Sequence, residues 1–150
     1  MEFIEIEWNS NLYCLEIELR DRLLRAPLGL TFSSEQLEAE SAELHFALVD
    51  DAQVRACAVI VPMSHGEAKL RQMVVHENHQ RQGLGSKLIR EIEIVLCKRG
   101  FKAIQLNARE QAVPFYKRLG YQTAGDRFME VGIGHWKMHR ELNGFEGCSD

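Results

Sequence analysis

Two glycines one residue apart, Gly83 and Gly85, stand directly before a long amphipathic segment. From Leu84 to Arg99 the apolar residues recur at helical spacing, and residues 68–76 before the loop have the apolar character of a strand. A helix start exposes amides that lack intrahelical partners and carries partial positive charge. Glycine also lacks the Cβ that would hold an anion away from the backbone. The loop is therefore either a structural turn or a cradle for a phosphate-bearing ligand.

Two common phosphate-binding motifs do not fit this loop. The nucleoside-triphosphatase motif GxxxxGK[ST] is absent, and the dinucleotide motif GxGxxG requires a glycine where Leu88 stands. The strands before the loop follow a hairpin pattern, whereas a dinucleotide fold alternates strands with helices. Both nucleotide folds are thereby disfavoured.

The bulk composition bounds the remaining choices. A chain of 150 residues with 45% hydrophobic and 27% charged residues is expected to form one globular domain over residues 1–150. The net charge of −4 argues against nucleic acid and anionic membranes as partners. No window is apolar enough for a membrane span, and the acidic N-terminal segment differs from a signal peptide. We expect a cytoplasmic protein.

The four cysteines are scattered, without a CxxC pair or a Cys/His cluster at metal-ligand spacing. Cys14, Cys57 and Cys97 each lie in an apolar pattern, which predicts small buried thiols. Together with Cys148 they indicate a reducing compartment and no bound metal.

Periodicity predicts the element order strand, two helices, three strands, helix, strand, helix, two strands. The first helix, residues 11–25, is predicted from an apolar repeat of Leu12, Leu15, Leu19 and Leu23. The tail at residues 143–150 has no pattern and is expected to be frayed. Hairpins combined with helical crossovers predict a mixed sheet covered by helices, which is an α/β (α+β) fold.

The segment QRQGLG at residues 80–85 resembles the Q/R-x-x-G-x-G/A motif of the GNAT superfamily of acyl-CoA-dependent N-acetyltransferases. The preceding RQMVV, the following NAREQAVPFYKRLGY and the final FMEVGIGHWKM also resemble family signatures, so the likeness covers roughly residues 70–140. It implies a mixed, mostly antiparallel, twisted sheet of about six to seven strands covered by about four helices. It also implies acetyl-CoA as cosubstrate.

The resemblance further implies which residues bind coenzyme A. The pyrophosphate would be held by the backbone N–H groups from Gln82 to Ser86. The cofactor-binding residues of the glycine loop are Gln80, Arg81, Gln82, Gly83, Leu84, Gly85 and Ser86. The pantetheine amides would pair with the strand before the loop at Met73, Val74 and Val75, as an added strand pairs with a sheet edge. Met73 and Val75 are equally compatible with an ordinary core position.

Tyr116 lies where the family often keeps a tyrosine near the thioester sulfur. A phenol there could protonate the departing thiolate or donate a hydrogen bond to it, although Phe115 and Tyr116 would also suit an aromatic core. Asn107 could bind pantetheine or cap the next helix, and the sequence favours neither role.

A neutral amine is required for attack on a thioester, so some family members use a base. His135 on the last predicted hairpin is our candidate, because an imidazole titrates near neutral pH. Glu67, His76 and Glu130 are rivals. Where some members carry a glutamate before the loop, this chain has Lys69, Arg71 and Gln72, which argues against a direct carboxylate base.

Two functions from different classes remain. The first is an enzyme that transfers an acetyl group from acetyl-CoA to a primary amine of a small molecule or peptide. The alternative is a non-catalytic acyl-CoA-binding sensor or partner module. The retained Tyr116 favours the enzyme, while the acceptor is not determined and a homodimer is left open.

Overall fold

The computed structural model describes residues 1–142. The predicted frayed tail at 143–150, with Cys148, falls outside the described residues. Seven strands are present in them: β1 Glu2–Ile6, β2 Leu44–Asp50, β3 Gln53–Pro62, β4 Glu67–Val75, β5 Ala103–Arg109, β6 Gln122–Glu130 and β7 Ile133–Glu141. The α-helices are α1 Asn11–Arg20, α2 Ser34–Ala39, α3 Leu84–Lys98 and α4 Val113–Arg118. This order confirms the one predicted from periodicity.

The strands follow the order β1-β2-β3-β4-β5-β7-β6 in one sheet. Strand β1 pairs antiparallel with β2, β2 with β3, β5 with β7 and β6 with β7, while β4 and β5 run parallel. The parallel ladder begins at Glu67 with Ala103 and ends at Leu70 with Leu106. Both strands continue beyond it, to Val75 and Arg109 respectively. The mixed, mostly antiparallel sheet and the four helices confirm the predicted fold class.

Local sequence signals explain most of the boundaries. Asp51 and Ala52 both have positive φ between β2 and β3, which suits a two-residue hairpin turn. Ser33 caps α2 through a reciprocal capping box with Gln36. Gly100 follows α3 in the left-handed region, with φ of +92°. Pro114 lies in the first turn of α4, where its missing N–H costs little.

Residue contacts divide the chain into two compact units. The first combines Met1–Val61 with Gln72–Ile92, and the second combines Pro62–Arg71 with the chain from Glu93 onward. Strand β4 and helix α3 each contribute residues to both units.

The first unit contains an apolar core between α1 and the strands β1 to β4. Its buried members are Ile6, Tyr13, Leu19, Ala47, Val49, Val54, Cys57 and Val74. Burial of these side chains is the main force that holds α1 on the sheet.

The second unit buries alternate residues of its central strand. Ile104, Leu106 and Ala108 of β5 are almost completely inaccessible, as is Met138 of the adjacent β7. This period-two burial is that of a strand with one face in the core. Strand β6, by contrast, is exposed along most of its length.

The first helix is present as predicted, as α1 to Arg20 followed by a π-helical turn Asp21–Arg25. Three leucines of its repeat, Leu12, Leu15 and Leu23, are half-buried. The buried positions of α1 are Tyr13, Glu16, Leu19 and Arg20.

The prediction about the cysteines was wrong in part. Cys14 is exposed, because the inward face of α1 is rotated away from it. Cys57 is a buried free thiol as predicted, whereas Cys97 is buried but disulfide-bonded, so the prediction of a thiol at Cys97 is wrong. Within residues 1–142, no helix has the length and apolarity needed to cross a membrane.

Candidate active site

The glycine loop has the backbone geometry of an anion cradle. Arg81 and Gly83 both have positive φ, +63° and +79°, and α3 begins at the next residue, Leu84. Alternating backbone conformations of this kind turn successive N–H groups toward one side, forming a concave anion-binding nest. A Cβ built on Gly83 would meet no protein atom within 4 Å, so space for a ligand is left beside the backbone. Arg81, Gln82 and Gly83 are exposed.

The first turn of α3 supplies the remaining donors. The carbonyl of Gly83 accepts the N–H of Lys87 at 3.0 Å, which closes the first helical turn and leaves the amides of residues 84–86 without intrahelical acceptors. The helix is 15 residues long, so its positive end is fully developed. Ser86 is half-buried, and Gly85 is buried. The backbone at the start of α3 therefore has the geometry of an anion-binding site.

A side-chain contact ties the loop back to the strand before it. Gln80 donates from Nε2 to the carbonyl oxygen of Val75 at 3.1 Å. Sequence reasoning assigned Gln80 only to the motif and missed this contact. The bond holds the loop against the end of β4 and also occupies one acceptor site of Val75.

The end of strand β4 is irregular at one residue. Gln72 has a φ of +54°, in the left-handed region that non-glycine residues seldom adopt. Val74 beyond it is buried in the core of the first unit, so it can contribute to ligand binding only through its backbone. Met73 and Val75 are half-buried and share the opposite face of the strand.

Tyr116 is buried on α4. Its ring packs against those of Phe115 and Tyr121, with centroids 5.1 and 5.8 Å away. Burial raises the pKa of Tyr116 to about 12, so the phenol remains protonated at neutral pH. The residue is thus both part of the aromatic core and a potential proton donor.

A polar network that sequence reasoning missed fixes the end of α4. Glu93 of α3 is fully buried and accepts the hydroxyl of Tyr121 at 2.9 Å. Arg140 binds both oxygens of that carboxylate at 3.0 Å and the carbonyl of Leu119 at 2.8 Å. Burial raises the pKa of Tyr121, as does the neighbouring carboxylate. The network holds Tyr121, the aromatic neighbour of Tyr116, in place.

The candidate base, His135, is buried in β7 with a defined tautomer. Its Nδ1 lies 2.7 Å from the carbonyl oxygen of Ile133, which can only accept, so Nδ1 carries the proton. In the neutral ring the lone pair is then on Nε2, which lies 3.6 Å from a carboxylate oxygen of Glu130. Phe128 stacks on the ring. Of the rival bases, only Glu130 is thus brought to His135.

One of the two roles predicted for Asn107, capping of the next helix, does not agree with its position. It lies inside β5, paired with Lys137, and the strand continues to Arg109. The helical turn that follows has no side-chain cap. The capping role is therefore wrong, because the strand extends two residues beyond Asn107 before the chain turns.

The first unit holds a second buried polar group, which sequence reasoning also missed. It consists of Tyr13, Glu16, Arg20, Glu40 and His45, and we call it the Arg20 cluster; the charged members are at most 2% exposed. Arg20 donates to Glu16 at 2.5 Å and to both oxygens of Glu40 at 2.9 and 2.5 Å. Tyr13 donates its hydroxyl to Glu40 at 2.7 Å. The spacing of Glu16 and Arg20, four residues apart on a helix, was the available signal.

The proton count of this cluster follows from its acceptors. His45 Nε2 lies 2.9 Å from the carbonyl oxygen of Glu40, and Nδ1 lies 3.0 Å from the Glu16 oxygen that also accepts from Arg20. A carbonyl and an ionised carboxylate only accept, so both ring nitrogens carry protons. Burial alone would lower the pKa of His45, but Glu16 outweighs it and the pKa is raised. Two positive and two negative groups then balance.

The chain resembles known acetyltransferases in sequence and structure. It matches the family model described as "Acetyltransferase (GNAT) domain" over residues 30–142. It is 33% identical over 76 residues to the uncharacterized protein YyaT of Bacillus subtilis (strain 168), covering 51% of each chain and hence about half the length of that relative. It is 32% identical over 108 residues to the uncharacterized N-acetyltransferase YjcF of the same organism, covering 71% of this chain and 75% of YjcF.

A solved structure agrees at the level of the fold. An aminoglycoside 6'-N-acetyltransferase complexed with coenzyme A superimposes with a TM-score of 0.80 at 17% identity, covering 95% of this chain and 97% of the other. Such low identity supports the fold alone. The family model and YjcF carry the assignment further, and the loop geometry agrees with both. The chain belongs to the GNAT family of acyl-CoA-dependent N-acyltransferases.

Proposed function

We propose that this protein transfers the acetyl group of acetyl-CoA to a primary amine of a small molecule or peptide. The observation that carries the proposal is the cradle at the start of α3, where positive φ at Arg81 and Gly83 precedes a row of donor amides. Such a cradle recognises a diphosphate by backbone and dipole, with the charge of Arg81 nearby.

Cofactor recognition would continue along β4. The backbone of Met73 to Val75 lies beyond the end of the parallel ladder with β5, which stops at Leu70. We infer that the pantetheine amides bind this segment as an added strand would. The thioester carbonyl then accepts a hydrogen bond from the peptide that follows Gln72, which stabilises the negative charge that develops during attack.

Tyr116 is the proposed acid. In the reaction the amine nitrogen forms a bond to the carbonyl carbon, the carbon–sulfur bond breaks, and the leaving thiolate takes a proton. A phenol whose pKa is raised to about 12 stays protonated and can supply that proton.

His135 is the proposed base. Its tautomer leaves the Nε2 lone pair available in the neutral ring, and Glu130 lies close enough to stabilise the imidazolium once a proton has been accepted. As the amine nitrogen attacks, the base removes one of its two N–H protons, directly or through water. The acceptor is an uncharged primary amine at the moment of reaction.

The cradle can be tested with two matched glycine variants. Gly83 and Gly100 border opposite ends of α3, both have positive φ, and neither has a protein atom within 4 Å of an added Cβ. Valine at either position imposes a similar backbone strain. We expect Gly83→Val to weaken coenzyme A binding by about tenfold or more, because its side chain projects into the anion site, while Gly100→Val binds as wild type does.

Calorimetry with coenzyme A measures this difference, and a thiol-release assay with acetyl-CoA and an amine library measures transfer. Equal affinities in the two variants would overturn the cradle assignment. Binding without thiol release for any amine would instead support the non-catalytic acyl-CoA-binding module.

A further inference from the structure

The Arg20 cluster extends beyond its own charges to strand β4. While two nitrogens of the guanidinium bind the carboxylates of Glu16 and Glu40, Nε donates to the side-chain oxygen of Gln72 at 3.2 Å. Phe32 lies against the same guanidinium, with its ring centroid 5.0 Å from Cζ. All three nitrogen positions of Arg20 are therefore engaged, and the direction of its Nε–H is fixed by the other two.

Gln72 is the residue of β4 that has positive φ. A side chain at that backbone conformation is strained, so the strand adopts it only where the surroundings hold it. The hydrogen bond from Arg20 is such a restraint, since it anchors the side chain of the strained residue itself. It also comes from a donor that is completely buried and held by two carboxylates.

The hydrogen bond between Arg20 and Gln72 lies at a point of β4 that matters for the proposed reaction. The parallel ladder of β4 ends at Leu70, and Gln72 lies two residues beyond that end. The two backbone torsions of Gln72, of which φ is +54°, set the direction of the peptide that joins it to Met73. That peptide is the donor which, under the proposed function, faces the thioester carbonyl.

We propose that Arg20 and Gln72 are positioning residues for acetyl transfer, and that their hydrogen bond holds the Gln72–Met73 peptide in the orientation that stabilises the oxyanion. The inference rests on the proposed function for its catalytic meaning. Neither side chain touches the reacting atoms. A donor fixed before the reaction stabilises developing charge without reorganisation, so loss of the restraint lowers the rate and leaves phosphate binding intact.

The test replaces Gln72 and leaves the buried charges untouched. Gln72→Met keeps an unbranched side chain of similar length but removes the acceptor, whereas Gln72→Glu keeps an acceptor for Nε. Gln105→Met is the matched control, because Gln105 is also a half-buried strand residue but belongs to β5 and has no positive φ. Each variant is compared with wild type in thiol release, in coenzyme A calorimetry and in amide hydrogen exchange at Met73.

We expect Gln72→Met to lower kcat by about ten- to a hundredfold with KM for acetyl-CoA and coenzyme A affinity unchanged. Gln72→Glu should recover most of the rate, and Gln105→Met should match wild type. Exchange at the Met73 amide should change in Gln72→Met alone. A merely structural role would instead lower stability and leave kcat per folded molecule unchanged.

The outcomes separate this inference from the proposed function. Wild-type kcat and exchange in Gln72→Met, equal losses in the Met and Glu variants at position 72, or an equal loss in Gln105→Met would overturn the positioning role. If wild type releases no thiol with any amine, the proposed function fails. A changed Met73 exchange confined to Gln72→Met would then still establish the restraint on the backbone.

Discussion

Replacement of Arg20 by methionine tests how the buried charges of the Arg20 cluster are held. The change removes the guanidinium that binds Glu16 and Glu40 but keeps a long unbranched side chain. His45 still faces Glu16, so Glu40 is left without its charged hydrogen-bond partner. A carboxylate at a position only 2% exposed, with the Tyr13 hydroxyl as its remaining side-chain donor, then takes up a proton in preference to remaining charged without a cationic hydrogen-bond partner.

The magnitude follows from the cost of that proton. In the wild type, burial alone would raise the pKa of Glu40, but the hydrogen bonds and charge of Arg20 outweigh it and lower the pKa. Without Arg20, protonation of a carboxyl group with an unfolded pKa of about 4.3 at pH 7 costs about 2.7 times 1.36, or about 3.7 kcal/mol. This agrees with the loss of about 3–5 kcal/mol expected when one partner of a buried ion pair is removed.

Protonation of Glu40 in the variant also determines the sign of its pH dependence. In Arg20→Met the folded-state pKa of Glu40 lies above its unfolded value, so the folded state binds a proton that the unfolded state releases as pH rises. The contribution of Glu40 to the stability of the variant is therefore most favourable below about pH 4.3 and falls by about 1.4 kcal/mol per pH unit above it. The deficit relative to wild type should accordingly shrink between about pH 7 and about pH 5.

Urea unfolding followed by circular dichroism at several pH values measures both quantities. Arg22→Met is the matched control, since Arg22 lies two residues away and also binds a carboxylate, that of Glu77, but its side chain is 42% exposed. Exposed pairs contribute little, so this variant should unfold close to wild type. A deficit in Arg20→Met equal to that of the control, or one that does not vary with pH, would refute the reasoning.

Three further predictions concern single side chains. Burial opposes the charged form of His45, but Glu16 outweighs it and raises the pKa of His45. The stability that the imidazolium contributes is therefore present below about pH 6.5 and is lost as pH rises through the raised pKa. Urea unfolding should show this decline in wild type and not in His45→Gln, and parallel pH profiles would contradict it. Tyr116→Phe should lower turnover at least about tenfold with coenzyme A affinity unchanged. The control Tyr121→Phe, which loses the hydrogen bond to Glu93, should lose stability instead. Unimpaired thiol release by Tyr116→Phe would exclude Tyr116 as the acid. His135→Gln should lower kcat/KM by about a hundredfold with coenzyme A affinity unchanged, and unimpaired kcat/KM would exclude His135 as the base.

Much of the fold could be predicted because its signals are local. Gly100 follows α3 with positive φ, and Pro114 occupies the first turn of α4, as their restricted or permissive backbones require. The β2–β3 hairpin follows from two apolar runs separated by a short turn. The glycine loop belongs to the same class, because strand, loop and helix are contiguous and its geometry depends on few distant residues.

The catalytic candidates were harder to place because their roles depend on neighbours distant in sequence. Asn107 was assigned to the end of a strand that in fact pairs with β7 as far as Arg109. The tautomer of His135 is set by the carbonyl of Ile133, and its possible ion pair by Glu130, contacts that exist only once the β6–β7 hairpin has formed. Glu93 gave no sign in the helical pattern that Tyr121 and Arg140 would converge on it.

The Arg20 cluster shows what hydrophobic periodicity does not predict about α1. The leucine repeat predicts the helix, but Glu16 and Arg20 lie inward because Glu40 and His45, both more than 15 residues away along the chain, supply the opposite charge and the acceptors. Buried charges are tolerated only when paired and hydrogen-bonded. Polarity in a sequence therefore predicts exposure only for groups that have no partner in the folded protein. Where the fold supplies partners, the same polar residues become the most buried part of the helix.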